Sequence, residues 1–436
     1  MSFNVIVTIT IIAFLVLLFI GTPVFASLGL AGVLGILLLR GPEGLLAIPS
    51  VMYDRLRSFT LVAVPLFILM GEVVFHSGMG AELYTLGSRW LNRLPGGLAM
   101  ASIVACAVFG AMCGVSIAGA ATIGAFAIPE MLKRQYDKRL ATGSVAAAGA
   151  LALLIPPSLG FILYGEVADE SVGMLFIGGI IPGIVLASMM MAYVGIRVRV
   201  RPELAPPIRE VVTWKLRFSS LARIWPALIL IFAVSGTIYL GIATPTEAAA
   251  VGCLFSFFLA HFVYKSLNWQ VIKRIYRSAI LTTGMILLIF VCAFFFGYVL
   301  TLLMIPQWLV KFISAAGWST WQVLAAIMGM LIVMGMFVDA VSVILISTPL
   351  LLPIIEFLGY SRLWFGIVMV ITLEMAVITP PVGLNLYTIK GIAPEDIALT
   401  DIIRGALPFV AVEIACLAIF VACPSLALWL PRTMLR

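Results

Sequence analysis

The sequence predicts an all-α polytopic membrane protein with two inverted-topology repeats, each containing a re-entrant helical hairpin and a Pro-Pro-broken helix. The first reason is composition. The 436 residues are 63% hydrophobic and only 10% charged, which is too little charge to cover a water-soluble surface. The second is a series of long apolar stretches, each close to the roughly 20 residues that span a hydrocarbon core. The third is a set of prolines that recurs in two halves of the chain.

The recurring prolines divide the chain into two repeats. They lie within apolar stretches and are separated by 222 or 224 residues; the pairs are Pro23 with Pro245, Pro129 with Pro353, and Pro156 with Pro380. Such matched placements predict two homologous halves. We assign the first repeat to residues 1–205, a cytoplasmic linker to 206–221 and the second repeat to 222–436.

Five apolar spans and one apolar block are predicted in each half. The spans are 3–20, 23–40, 59–77, 140–165 and 173–198, then 224–242, 245–264, 278–302, 363–387 and 405–428. The blocks lie at about 98–132 and 322–358, and we interpret each as a hairpin that enters and leaves on one side. Each half crosses the membrane an odd number of times whether its block is a hairpin or two full spans. The second half is therefore inverted.

The basic residues orient the chain. Of the 26 Lys and Arg, 19 fall in loops on one side of the predicted membrane, which makes that side cytoplasmic. Both termini and the acidic loop at 166–170 then face outward. The first hairpin enters from the cytoplasm and the second from outside.

Several function classes are excluded or disfavoured. The net charge of +7 is spread over short loops rather than concentrated on one face, which argues against nucleic-acid binding. The six cysteines lie in apolar stretches without a CxxC pair. Because no catalytic or phosphate-binding motif is present, we predict no enzyme activity and no cofactor.

The first hairpin and the first Pro-Pro pair carry the first candidate site. Gly114 permits a tight reversal at the tip and Ser116 supplies a hydroxyl. Pro156 disfavours helix at Ile155 and donates no N–H, so carbonyl oxygens are released before Ser158. These oxygens suit a desolvated sodium ion. The alternatives are glycines that serve helix packing and a Pro-Pro pair that only kinks a helix.

The second hairpin and the second Pro-Pro pair carry the corresponding site. Asp339 is a carboxylate within an apolar block and is a functional candidate by default, although it could instead cap the second helix of the hairpin. The candidate ion ligands of this half are Gly335, Asp339, Thr379, Pro380 and Gly383. Ser116, Ser158, Asp339 and Asn385 are the candidate substrate contacts. Glu72, Glu374 and Glu413 either line the path or bond within the bundle.

A series of motifs resembles the large membrane subunit (M, or DctM-like) of tripartite ATP-independent periplasmic (TRAP) transporters over nearly the whole chain. The motifs are Leu94-Pro95-Gly96-Gly97, Ile128-Pro129-Glu130-Met131, Ile155-Pro156-Pro157-Ser158, Thr244-Pro245-Thr246-Glu247, Gly335-Met336-Phe337-Val338-Asp339 and Thr379-Pro380-Pro381-Val382-Gly383-Leu384-Asn385. One departure concerns the first tip. The family usually has Ser-Gly-Ser-Ser there, and this chain has Cys113-Gly114-Val115-Ser116, which leaves Ser116 and the backbone to serve that ion site.

The resemblance implies a sodium-driven importer of organic acids in a bacterial inner membrane. It implies two partners, a separate small four-helix membrane subunit and a periplasmic substrate-binding protein. It also implies an elevator motion that carries both hairpins past a fixed scaffold, with sodium ions as the only metal. Two alternatives are a stand-alone ion-coupled carboxylate carrier and an integral-membrane enzyme.

Overall fold

The computed structural model describes residues 3–207 and 212–433, and all regular secondary structure within these ranges is helical. Seven of the described helices are long and apolar enough to cross a membrane, or eight if one bent pair is a single span. The predicted all-α, multi-pass class is confirmed. The repeat boundaries remain a prediction, and four residues of the predicted linker, 208–211, lie outside the described ranges.

Ten α-helices form the part of the chain before the linker. They are α1 (Phe3–Phe19), α2 (Val24–Arg40), α3 (Ala47–Leu56), α4 (Ala63–Ser77), α5 (Met79–Leu91), α6 (Gly97–Cys113), α7 (Ser116–Lys133), α8 (Lys138–Ala150), α9 (Leu159–Ala168) and α10 (Val172–Val200). Short 3-10 turns occupy Pro42–Leu46, Phe59–Val62, Leu151–Leu153 and Pro202–Leu204.

Twelve α-helices follow in the second described range. They are α11 (Trp214–Arg223), α12 (Trp225–Ile231), α13 (Thr237–Tyr239), α14 (Pro245–Phe258), α15 (Trp269–Leu302), α16 (Ile305–Ala316), α17 (Thr320–Phe337), α18 (Ala340–Phe357), α19 (Arg362–Ala376), α20 (Leu384–Ile392), α21 (Leu399–Ala422) and α22 (Pro424–Arg432). A π-helical turn at Phe232–Gly236 joins α12 to α13, and another at Leu259–Val263 extends α14.

Two predicted spans have different bounds in the structure. The span expected at 405–428 ends at Ala422, because Pro424 lacks an N–H and disfavours helix at Cys423; Pro424 instead begins α22. The span expected at 278–302 begins earlier, at Trp269, where the Asn268 side chain accepts a hydrogen bond from the Val271 N–H.

The apolar blocks form two helical hairpins. We call α6–α7 the first hairpin and α17–α18 the second hairpin. The segment 151–158 between α8 and α9 is the first break, and 377–383 between α19 and α20 is the second break. The predicted spans 140–165 and 363–387 are therefore each divided into two helices at a Pro-Pro pair.

Helix α8 lies at the centre of the packing, against α6, α7 and α21. It can approach α21 closely because glycines face each other: a Cβ on Gly143 would lie 2.2 Å from the Gly405 carbonyl carbon. At one end of this contact, Asp401 accepts hydrogen bonds from Lys138 and Arg139, with nitrogen–oxygen distances of 2.6 and 3.3 Å. Close backbone packing and two ion pairs thus hold α8 and α21 together.

Candidate functional site

The tip of the first hairpin rests on the first break. Helix α6 ends with Gly114 in the left-handed region (φ +64°), and its N–H donates to the Gly110 carbonyl at 2.9 Å. Any Cβ on Gly114 would lie 2.4 Å from the Pro157 carbonyl oxygen. Only glycine therefore allows both the turn and the close approach. The hairpin tip and the Pro-Pro pair that we predicted to lie together are in contact.

The first break interrupts the chain between α8 and α9 at Ile155 and Pro156. The buried Ser158 side chain caps α9 by accepting from the Phe161 N–H at 3.4 Å, and it donates to the Leu153 carbonyl. The Pro156 carbonyl accepts a weak hydrogen bond from the Ser235 hydroxyl at 3.5 Å. Ser235 lies in the π-helical turn between α12 and α13. Sequence reasoning missed this residue, since its only signal is a serine in an apolar stretch.

The second break has the same plan. Gly383 has a left-handed φ of +59° at the start of α20, and the Asn385 N–H donates back to the Val377 carbonyl at 3.1 Å. The Thr379 hydroxyl donates to the Met375 carbonyl at 2.6 Å, while Pro380 is half-buried. The Pro-Pro peptide bond is cis in both breaks.

A buried hydrogen-bond pair joins the first hairpin to α20, the helix that follows the second break. The Ser116 hydroxyl lies 3.0 Å from Asn385 Oδ1 and 2.8 Å from Asn385 Nδ2. The same Nδ2 donates to the Ala146 carbonyl of α8 at 3.1 Å. Asn385 is fully buried and Ser116 is 5% exposed. Two predicted substrate contacts, from opposite halves of the chain, therefore meet.

The second hairpin turns through Val338 and Asp339. The Asp339 carboxylate caps α18 by accepting from the Ser342 N–H at 3.0 Å and from the Ser342 hydroxyl at 2.5 Å. Within the described ranges its side-chain hydrogen bonds go only to Ser342. Asp339 therefore does cap the second helix of the hairpin, which was the alternative to a functional role. Ser342 is a second polar group at this tip, and sequence reasoning did not select it.

The second hairpin packs beside both breaks, on the helix that precedes the second break and on the helix that follows the first. Gly335 packs on Ala376, the last residue of α19 before the second break. A Cβ on Gly335 would be 2.6 Å from the Ala376 Cβ. Helix α18 packs on α9, where Gly160 would bring a Cβ 3.1 Å from Ile344. In the corresponding contact of the first hairpin, α7 packs on α20. Each hairpin therefore contacts the short helix that follows the break in the other half.

The acids outside the tips separate into two kinds, since Glu72 is half-buried and bonded whereas Glu374 and Glu413 are fully buried. Glu72 accepts from the Ser278 hydroxyl at 2.6 Å and so links α4 to α15. Glu374 on α19 and Glu413 on α21 are fully buried, and their carboxylate oxygens have no hydrogen-bond partner among the described residues. Of these three residues, only Glu72 has an evident bonding role within the bundle.

The family is decided by comparison of the whole chain with known proteins. Residues 11–426 match the family "Tripartite ATP-independent periplasmic transporter, DctM component". The chain belongs to this family. TRAP large permeases are transporters that work with a small membrane subunit and a periplasmic binding protein, so this protein is a transporter and not an enzyme.

Curated relatives extend over nearly the full length. The large permease protein DctM of a C4-dicarboxylate TRAP transporter from Pseudomonas aeruginosa is 34% identical over 93% of this chain and 94% of its own length. The isethionate TRAP transporter permease protein DctMQ from Oleidesulfovibrio alaskensis is 32% identical over 95% of this chain and 65% of its own length.

A solved structure shares the fold of this TRAP large permease. The YdaH transporter from Alcanivorax borkumensis superposes with a TM-score of 0.60, covers 90% of each chain and is 14% identical. At that identity the likeness concerns fold alone.

Proposed function

We propose that this TRAP large permease imports a small organic acid, delivered by a periplasmic binding protein and coupled to a sodium gradient. The observation that carries the proposal is the buried Ser116–Asn385 pair, where the first hairpin meets the helix that follows the second break. Buried helix ends offer backbone dipoles that water would otherwise satisfy, and transporters use such ends to hold ions and substrates.

An anionic substrate is favoured by the direction of four helices. Helices α7 and α18 begin at the hairpin tips, and α9 and α20 begin after the breaks, so the N-terminal N–H groups of all four lie at a tip or a break. Helix N-termini carry partial positive charge and bind carboxylates. Ser116, Ser158, Asp339 and Asn385 are the proposed substrate contacts.

Two sodium sites are proposed, one in each half. Sodium prefers oxygen ligands, which a break supplies as carbonyls and a tip supplies as hydroxyl or carboxylate groups. The first site consists of Gly114, Ser116, Ile155, Pro156 and Ser158. The second consists of Gly335, Asp339, Thr379, Pro380 and Gly383. No cofactor takes part, and sodium is the only metal in the mechanism.

An elevator motion is the proposed route of transport. Each hairpin contacts the short helix after the break in the other half, α7 with α20 and α18 with α9, so the members of each pair can move together past helices such as α1 and α2. The proposed setting is a bacterial inner membrane with both termini periplasmic. The small four-helix subunit would be a separate chain beside the scaffold.

Reconstitution in proteoliposomes tests the proposal. The two membrane subunits, with an inward sodium gradient, are supplied with a panel of radiolabelled carboxylates and the cognate binding protein. We expect uptake of at least one acid that requires both sodium and the binding protein. Equal uptake without the binding protein would favour a stand-alone carrier, and uptake indifferent to sodium would refute the coupling.

A further inference from the structure

We propose that Glu374 and Glu413 form a proton-binding site between α19 and α21, in which at least one of the two carboxyl groups is protonated. Both side chains are fully buried, and none of their carboxylate oxygens has a hydrogen-bond partner among the described residues. An ionisable group inside a membrane protein is a functional candidate whose partner has to be identified. The site includes no residue of the two proposed sodium sites and does not depend on sodium coupling.

The two carboxyl groups lie deep within their helices. Glu413 comes 14 residues after Leu399, which begins α21, and is about 21 Å from that end of the helix. Glu374 comes 12 residues after Arg362, which begins α19, and is about 18 Å from that end. Neither side chain has exposed surface, so water does not solvate the carboxyl groups.

The two carboxyl groups are also near each other. Helices α19 and α21 pack together, and the charge of Glu413 acts on Glu374. The Cys416 thiol, one turn after Glu413, lies near both carboxyl groups and supplies no positive charge. Two like charges that share a site away from water repel each other strongly, and such pairs hold a proton rather than ionise twice.

No cation compensates the pair within the described ranges, where neither glutamate takes part in an ion pair. Lys138 and Arg139 of α8 bond to Asp401, which is about 18 Å from the pair along α21. Arg362 pairs with Glu356, about 18 Å from the pair along α19. These basic residues therefore have other partners at the ends of the helices.

Helix α10 also packs on both α19 and α21. Its Tyr193 ring lies on Phe409, one turn before Glu413, with ring centroids 5.0 Å apart. The Tyr193 hydroxyl accepts from Arg197 at 2.6 Å, so this guanidinium group is bonded to the tyrosine. The other titratable residues on helices packed against α19 or α21 bond elsewhere or are exposed: Tyr164, Glu166, Arg199, Tyr387, Lys390, Arg404 and Arg432.

A proton suits this place better than a metal ion. A metal ion needs several oxygen ligands at once, whereas the backbone carbonyls within α19 and α21 are used in helical hydrogen bonds. A proton needs only one carboxyl oxygen, and the O–H that it creates can donate to the other carboxylate. Because an unpaired buried carboxylate is costly, the neutral form is favoured in this apolar interior.

The site lies beside the first break. The backbone of Leu154 is adjacent to the Glu374 carboxyl group, and the Leu154 N–H already donates to the Leu151 carbonyl at 3.1 Å. Leu154 comes two residues before Pro156, and Glu374 comes six residues before Pro380. The charge of the pair therefore acts on segments next to both Pro-Pro pairs.

Infrared spectroscopy of the purified membrane complex, in a detergent without ester groups, tests the proposal. A protonated carboxyl group absorbs at a frequency separate from that of a carboxylate. At about pH 7.5, where exposed glutamates are ionised, we expect this absorption in the wild-type complex and its loss in the double variant Glu374→Gln/Glu413→Gln. Glu72→Gln is the matched control and should keep the absorption, because the Glu72 carboxylate accepts from the Ser278 hydroxyl.

Identical spectra of the wild-type and double-variant complexes in this region would overturn the proton site. Sodium titration of the unfolding temperature supplies a second measurement, and we expect equal increases in the two complexes. A larger increase in the wild-type complex, without the carboxyl absorption, would show that the pair binds sodium and would also overturn the proposal. The test uses no substrate, so its result is separate from that of the uptake experiment.

The single variants keep the test decisive if the double variant does not elute as a monodisperse complex in size-exclusion chromatography. Glu374→Gln and Glu413→Gln should each change the carboxyl absorption, because the remaining carboxyl group loses its charged neighbour. Wild-type spectra in both single variants would overturn the proposal.

Discussion

The Ser116 hydroxyl lies 2.8 Å from the side-chain nitrogen of Asn385, although the two residues are 269 positions apart in the chain. The contact connects the first hairpin to the helix after the second break. Because Asn385 also donates to Ala146 of α8, three elements meet at one buried amide. Loss of either partner would leave buried polar groups without hydrogen bonds.

Asn385→Ala should reduce sodium-driven uptake by about 10-fold or more, because an unsatisfied buried hydrogen-bonding group costs about 1–3 kcal/mol. Ser116→Ala should produce a smaller loss. The double variant should lose less than the sum of the two single losses, since both remove one shared contact. Uptake rates in proteoliposomes, expressed as free energies, provide the measurement.

Thr388→Ala is a matched control for Asn385→Ala, because Thr388 lies on the same helix and its hydroxyl bonds, among the described residues, only to the Leu384 carbonyl. It should have little effect on uptake. Strictly additive losses in the double variant would show that the Ser116–Asn385 contact makes no coupled contribution.

Gly114→Ala should abolish folding of the first hairpin or uptake. Its Cβ would lie 2.4 Å from the Pro157 carbonyl oxygen, and its φ of +64° is unfavourable for alanine. Gly359→Ala separates these two causes, since Gly359 has φ +82° and no atom within 4 Å of the added Cβ. That control should lose only about 1 kcal/mol of stability. Thermal unfolding followed by tryptophan fluorescence would measure the stability of both variants. Equal losses of stability in Gly114→Ala and Gly359→Ala would contradict the close approach of Gly114 to Pro157.

Asp339→Asn should keep the cap of α18 and lose the charge, because asparagine is a good helix-capping residue. If Asp339 is a sodium ligand, this variant should unfold at nearly the wild-type temperature and require at least about 10-fold more sodium for half-maximal uptake. Asp339→Ala should lose both the cap and the sodium response. Wild-type sodium activation in Asp339→Asn would restrict Asp339 to a capping role.

Gly405→Ala should destabilise the protein by about 1–3 kcal/mol or prevent assembly, because overpacking forces backbone shifts. The new Cβ would lie 2.0 Å from the Arg139 carbonyl oxygen. Gly284→Ala on α15 is the control, since nothing lies within 4 Å of its added Cβ. The control should unfold at or slightly above the wild-type temperature. Similar melting of both variants in detergent would contradict the tight α8–α21 contact.

The helical class and many of the helix ends could be predicted from local chemistry. Pro156 and Pro380 interrupt helices because they lack an N–H and restrict the residue before them, and the structure divides both predicted spans at these points. The helix break at Cys423 was missed although Pro424 carries the same signal. Short helices such as α3 and α16 were missed too, because their apolar residues do not form a run of spanning length.

The sequence by itself determined that this chain resides in a membrane, where its helices are interrupted, and that it resembles TRAP large permeases, because these properties follow from composition, proline chemistry and ordered motifs. The tertiary structure decided which interruptions meet. Ser116 reaches Asn385, and Gly335 reaches Ala376, through packing between distant helices. Such pairings depend on the approach of helix surfaces across the whole bundle, and no local pattern encodes that approach.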